Sequence, residues 1–453
     1  MNEQVVLFES APESAAVVQS SPGGRGIARV LVAERNQIAL RALDLDATIG
    51  LDHPARNVWA FVEGMELSGL YGEIGSVEGR AGRAAIDPKI LLALWLYATV
   101  DGVGSAREIE RLSEAHDAYR WICGGVNVNH HTLSDFRCAR VELLDDWLTH
   151  SVAVLTEQDL VKLERVAQDG MRVRASAGAA SFRRRSTLER CLEQARAQVQ
   201  ALKDEIEADP DASNRRRRAA RERAAVERQQ RVAQALEQMA QVEEQKNKKP
   251  VAKKEHETEE QYAKRSEPRT SSTDSEARVM KMADGGYRPA YNVQFSTITD
   301  KQIIVGVEVI NVGSDQGQLS PMLDQVEQRY NERPAQCLVD GGYARHDEIE
   351  DAQARGTTVY APVPKPKDPT RDPYVALPGD SLAIAQWRER MGTDTAKAIY
   401  KQRAATAECV NAIARGRGLT QFLVRGLDKV KAVALWYAIA HNMMRALTLA
   451  QTA

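Results

Sequence analysis

The sequence predicts an α/β protein: a mixed sheet preceded by an all-helical N-terminal region and interrupted by a long helical insertion. Three observations carry that expectation. Short strand-like runs at 163–168, 291–298, 303–310, 336–339 and 357–361 alternate with helical text. Apolar residues between Ser186 and Ile206 recur in steps of four and three, the spacing of a helical seam rather than of a strand. Helical, well-punctuated text fills 52–145.

At 453 residues the chain exceeds one ordinary core, and domain-size statistics suggest about two to four units. Net charge is −2, so any nucleic-acid surface must come from local patches. Cys123, Cys138, Cys191, Cys337 and Cys409 are scattered, with no CxxC or Cys/His spacing. That excludes a disulfide framework and a zinc site, and fits a reducing cytoplasm. The most apolar runs, 90–100 and 432–444, fall short of the roughly 20 residues of a membrane helix. The start carries Glu3 and Glu9 without a basic stretch ahead of an apolar one, unlike a signal peptide.

Residues 1–30, rich in Ser, Ala and Gly, predict a disordered lead-in, and 31–160 a helical domain. Asp87-Pro88 supplies a cap and a first-turn proline ahead of KILLALWLYATV, and Gly102 stops that helix. Ser105 to Glu108 is a capping box, Asp117 caps a short third helix, and Thr132 to Asp135 resembles another capped start. A unit over 161–453 follows, its first strand ending at Asp169. Leu188, Leu192, Ala195, Val199, Leu202 and Ile206 form a coiled-coil seam, while Val232, Leu236, Met239 and Val242 supply a returning arm. An antiparallel hairpin results, and the charged stretch 244–278 reads as a solvated linker, so the insertion spans 183–280. Asp300-Lys301 turns one strand into the next, and helices are expected at 316–330, through Glu408, and from about 428 to 449.

Three acids stand in contexts that suit a divalent-metal ligand: Asp169 and Asp340 at strand ends, each followed by glycine, and Glu408 in a helix. On that helix Tyr400, Arg403, Glu408, Asn411 and Arg415 share one face about 140° wide. Arg403 and Arg415 can bind a phosphate oxygen, and Tyr400 can stack on a sugar or base. Any one of the acids alone reads equally as a surface residue or a cap. Their combination points to phosphodiester chemistry.

The blocks DPKILLALWLYATVDGVGSAREIERL, YRWICGGVNVNHHTLSDFR, LERVAQDGMRVRASAGAASFRRRSTLE, LVDGGY and YKQRAATAECVNAIARGRGL resemble the DDE transposases of bacterial insertion sequences. The resemblance covers 52–450 and is to the group with an InsH-like N-terminal domain and a Tyr, Arg, Glu and Lys/Arg signature. It implies a ribonuclease-H-like core that cuts at element ends and joins the freed 3′ ends to target DNA with two Mg2+ or Mn2+ ions. By motif it makes Asp169, Asp340 and Glu408 the metal ligands and gives Tyr400, Arg403 and Arg415 catalytic places. Arg415 stands where the signature has lysine, which keeps the charge and changes the donor geometry. Terminal inverted repeats, target DNA and at least one further protomer are the implied partners, and the bacterial nucleoid the implied location.

Candidate DNA contacts are Arg183, Arg184 and Arg185 beside the first acid segment, and Arg215, Arg216, Arg217 and Arg218 at the hairpin tip. A solvated helix face explains the second cluster as well. His131, Thr132, Ser134 and Arg137 lie on a helix that can enter a groove or simply pack, while Asn411 and Arg417 flank the third acid. Trp95, Tyr97, Trp121, Trp387 and Trp436 sit among apolar neighbours and read as core. The rival readings are a DNA-binding copy without catalysis, acting as repressor or scaffold, and a structural coiled-coil protein.

Overall fold

Seven helices come first: α1 (Pro54–Glu63), α2 (Ser68–Gly72), α3 (Pro88–Asp101), α4 (Ala106–Ala115), α5 (Asp117–Cys123), α6 (His130–Cys138) and α7 (Val141–Glu157). The computed structural model describes residues 42–76, 84–208, 215–248, 252–366 and 368–452, and the predicted lead-in lies outside them. Asp87 accepts from the Lys89 amide at the start of α3, and Gly102, at φ +80°, closes it. Because α3 is apolar all round, nearly every residue in it is buried. Ser105 caps α4. Two caps differ from expectation: His116, not Asp117, accepts from the Ala118 amide, and Asn129, not Thr132, caps α6. In both cases the residue in extended conformation just ahead of the helix holds the capping geometry.

The sheet is built around β1 (Arg165–Arg174), which continues five residues past the expected end at Asp169. After it come β2 (Phe182–Arg183), the hairpin helices α8 (Arg185–Ala208) and α9 (Arg215–Lys248), α10 (Glu259–Ser266), β3 (Thr270–Ser271) and β4 (Arg278–Lys281). Next are β5 (Tyr287–Ile298), β6 (Ile304–Ile310), α11 (Leu319–Tyr330), β7 (Gln336–Leu338), α12 (His346–Ala354) and β8 (Thr358–Tyr360). β1 pairs antiparallel with β5 on one side and parallel with β7 on the other, and β7 pairs parallel with β8. The far edge of β5 takes β4 and β6, both antiparallel. The helices α13 (Leu382–Gly392), α14 (Asp394–Arg403), α15 (Cys409–Gly416) and α16 (Leu427–Thr452) complete the chain. No single helix among the described residues is long and apolar enough to cross a membrane.

The two hairpin arms run antiparallel, as Arg185 to Glu243 (2.6 Å) and Arg228 to Gln198 (3.2 Å) show, around Leu188, Val232, Ala235 and Met239. The expected linker 244–278 is more ordered than its composition suggested. It contains α10, opened by a Thr258–Gln261 capping box, and the strand β3 paired with β2. Thr270 and Ser271 are fully buried there, and the Thr270 hydroxyl donates to the Ala235 carbonyl at 2.8 Å. Small polar residues hold this segment by hydrogen bonds, which a count of large apolar residues cannot register.

One apolar core joins α1, α3, α5 and α7 to α16 and to one face of β1 and β5. Trp95 and Trp436 meet inside it, ring centroids 6.5 Å apart, and the Trp436 indole donates to the Arg137 carbonyl. A second core lies under α11, α12 and α13 and includes Trp387. On α16, His441 is buried with its Nε2 donating to the Gln302 carbonyl at 2.7 Å, and burial pushes its pKa down to about 4. A histidine lowered on folding contributes stability that is complete above its unfolded value and lost as pH falls from about 6.5 towards 4. Between pH 7 and pH 5 this residue is expected to cost about 2 kcal/mol. Urea midpoints at the two pH values test it: the His441→Gln variant should lose that share of the pH dependence.

Candidate active site

Arg403 pairs with Asp169 and Glu408, and the charge of Asp340 also acts on it. Asp169 lies mid-strand, opposite Phe295 of β5, so its side chain leaves the sheet on the side covered by α14 and α15. Its Oδ1 accepts from Arg403 Nη2 at 3.0 Å and its Oδ2 from Asn411 Nδ2 at 2.9 Å. Burial pushes the Asp169 carboxyl above its ordinary value; Arg403 opposes that rise, and the Asp340 charge adds to it. Asp340 sits two residues past β7. The parallel register sets Ala167 beside Leu338, and carried forward it lays Asp340 alongside Asp169. The Asp340 Oδ1 accepts from the Gly342 amide at 2.7 Å.

Glu408 reaches the same place through a departure from regular helix. Residues Ala404–Glu408, between α14 and α15, form a π-helical turn. In an unbroken α-helix two residues five apart diverge by about 140°. The wider turn stacks them, and Arg403 Nη1 donates to Glu408 Oε1 at 3.0 Å. One guanidinium therefore bridges the first and third acids. Arg403 is nearly buried, whereas the Glu408 side chain is 58% exposed and open to solvent.

Tyr400 is half-buried near this cluster, and burial raises its pKa. Asn411, read from sequence as a DNA contact, is buried and holds Asp169 instead. Arg415 is exposed on α15, and Arg417 is half-buried beside Tyr437, whose hydroxyl donates to the Arg417 carbonyl. Among the other candidates, Arg183 and Arg217 are exposed. Arg184 pairs with Glu267 at 2.8 Å, Arg185 with Glu243, and Arg218 approaches Glu205 at 3.7 Å. The side chains of Arg215 and Arg216 lie outside the described residues. On α6, His131 and Ser134 are exposed and Thr132 half-exposed. Arg137 turns inward, its guanidinium 4.5 Å above the Trp95 ring and donating to the Gly104 carbonyl at 2.7 Å, so it packs the core.

Sequence reasoning missed a fourth acid. Asp315, between β6 and α11, lies against Gly170 on the opposite face of β1, where it accepts from Asn292 Nδ2 at 2.7 Å and Gln294 Nε2 at 2.8 Å. The signal was present in the alternation of Asn292, Gln294 and Ser296 with apolar residues along β5, which reads as a solvent face but is buried throughout. Among the described residues no three acids, histidines or cysteines stand as a preformed ion cage.

Two family models match the chain. Residues 43–139 match Transposase domain (DUF772), and residues 380–447 match Transposase DDE domain. The first spans α1 to α6, and the second contains Tyr400, Arg403, Glu408 and Arg415. No curated protein and no solved structure matches the chain. The chain is thus similar to insertion-sequence DDE transposases over a stretch ahead of the sheet and a stretch around the third acid.

Proposed function

We propose that this transposase binds the ends of a mobile DNA element, hydrolyses phosphodiester bonds there and transfers the 3′ ends to target DNA. The observation that carries the reading is that Asp169 on β1, Asp340 just past β7 and Glu408 at the π turn all act on Arg403. The strand order β6-β5-β1-β7-β8, three antiparallel strands followed by two parallel ones, supports a ribonuclease-H-like core. In this division 31–160 is the DNA-binding domain, with an InsH-like character, and 161–453 the catalytic one, interrupted at 183–280.

The donor set suits a hard divalent cation. Three carboxylates supply oxygen ligands, and two of them already share a cationic partner in Arg403. Asp169, Asp340 and Glu408 would hold two magnesium or manganese ions, which supply Lewis-acid stabilisation of the attacking and leaving oxygens. The chain's own residues do the remainder. Asn411 keeps the Asp169 carboxylate turned toward the helix, and Tyr400 stands close enough to feel the charge of all three acids. Arg415, exposed on the same helix as Asn411, takes a backbone phosphate, with Arg403 joining it when it leaves the acids. The exposed Arg183, Arg217, His131 and Ser134 supply contacts away from the acids. Two or more protomers hold the paired ends, at the bacterial nucleoid.

A duplex carrying the element's terminal inverted repeats, incubated with the full chain and magnesium, should be nicked at the repeat boundary and not in chelator. Retention of the duplex without any nick would leave a DNA-binding copy and remove the enzymatic reading.

A further inference from the structure

Behind the Asp169 strand runs a chain of buried polar groups that none of the roles above uses. It starts at Asp315, which accepts from Asn292, from Gln294 and, at 3.5 Å, from Arg172 Nη2. The Gln294 amide is used at both ends: its nitrogen donates to Asp315, and its oxygen accepts from the Tyr343 hydroxyl. Tyr343 in turn closes the turn that carries the second acid, its amide donating to the Asp340 carbonyl at 3.2 Å. Asn292, Gln294 and Tyr343 have no exposed surface.

Each link permits one sense only. An ionised carboxylate accepts, so the Gln294 nitrogen must face Asp315; its oxygen then faces Tyr343, which must donate. A buried chain of this kind is costly when any link is missing and rigid when all are made. At its other end the chain meets β1 at Gly170. A Cβ on Gly170 would lie 2.3 Å from Asp315 Oδ1 and 2.5 Å from Gln294 Nε2. The missing side chain, not a turn, is what the glycine supplies in mid-strand.

We propose that Asp315, Gln294 and Tyr343 are positioning residues: a brace that fixes the Asp340 turn against the strand carrying Asp169 and so sets the spacing of the two carboxylates. This rests on the metal-dependent reading of the acids. Groups that orient metal ligands from behind change metal affinity or rate by about 10- to 100-fold when removed. Tyr343→Phe deletes one hydroxyl from this chain, and Gly170→Ala displaces Asp315 from the other end.

The test is Mn2+ affinity of the full-length protein, read from the free-ion electron paramagnetic resonance signal, alongside melting temperature and the kinetics of end cleavage. Both variants should bind Mn2+ about tenfold more weakly and lose kcat, with KM for DNA unchanged. The Tyr343→Phe/Asp315→Asn double variant should be no worse than the worse single one, because one brace is broken once. Lower melting temperatures with unchanged Mn2+ affinity, or losses that add, would overturn the proposal in favour of a packing role. A wild-type protein that binds Mn2+ but never nicks DNA removes the enzymatic reading while the affinity comparison still judges the brace; one that binds no Mn2+ removes both.

Discussion

Asp340→Asn is expected to lower magnesium-dependent nicking by a factor on the order of 10³ or more while leaving duplex binding within about twofold. The substitution is clean because, among the described residues, the carboxylate's hydrogen bond comes from the Gly342 amide at 2.7 Å, and an asparagine oxygen can accept the same bond. What is lost is the negative charge beside Asp169. Phosphoryl transfer relies on positioning and electrostatic stabilisation, so a charge removed at the reacting centre acts on kcat rather than on affinity for DNA far from it. Single-turnover nicking and a gel-shift titration on the same duplex separate the two. Full nicking by the variant would remove Asp340 from the catalytic set.

The second large effect concerns Arg403. Arg403→Ala is expected to cost about 3 kcal/mol of stability at pH 7.5, towards the low end of what breaking a buried ion pair costs. The low end applies because Glu408 is more than half exposed and recovers solvation, whereas Asp169 keeps Asn411 and the Gly170 amide but loses its cation beside Asp340. The sign with pH follows from the raised Asp169 pKa. A carboxyl whose folded value lies above its unfolded value binds its proton more tightly in the folded chain. Its contribution is most favourable below the unfolded value and is lost as pH rises through the folded one. Without the opposing guanidinium the folded value climbs further, so the variant should be closer to wild type at pH 5 than at pH 7.5. Urea denaturation at the two pH values measures this; an equal deficit at both would mean that Asp169 is not the group left uncompensated.

Much of the fold was legible because its signals sit in short, local contexts. Five of the six strands of the sheet and the two helical arms carry signals within a window of a few residues, whereas β4 falls at the end of the expected insertion. What escaped depends on partners distant in sequence. The first strand was expected to end at Asp169; only Asp315, pressed against Gly170 from the other face, explains why a glycine stands inside it. The π turn before Glu408 has no composition of its own, and it is the Arg403 bridge to Asp169 that gives the extra residue a purpose. Arg137 stood open between a groove contact and packing until Trp95, 42 positions earlier, supplied the ring it lies over.

The place of α16 in the first core bears on when the protein can become competent. Trp436 and its neighbours complete the packing of helices translated more than 300 residues earlier, and the sheet interposes between the two in sequence. During synthesis those early helices wait with an apolar face unfilled until residues 427–452 clear the ribosome. A nascent or prematurely terminated chain thus lacks a finished interior around its early helices, so a cell that cuts translation short releases material for proteases rather than a partly working protein.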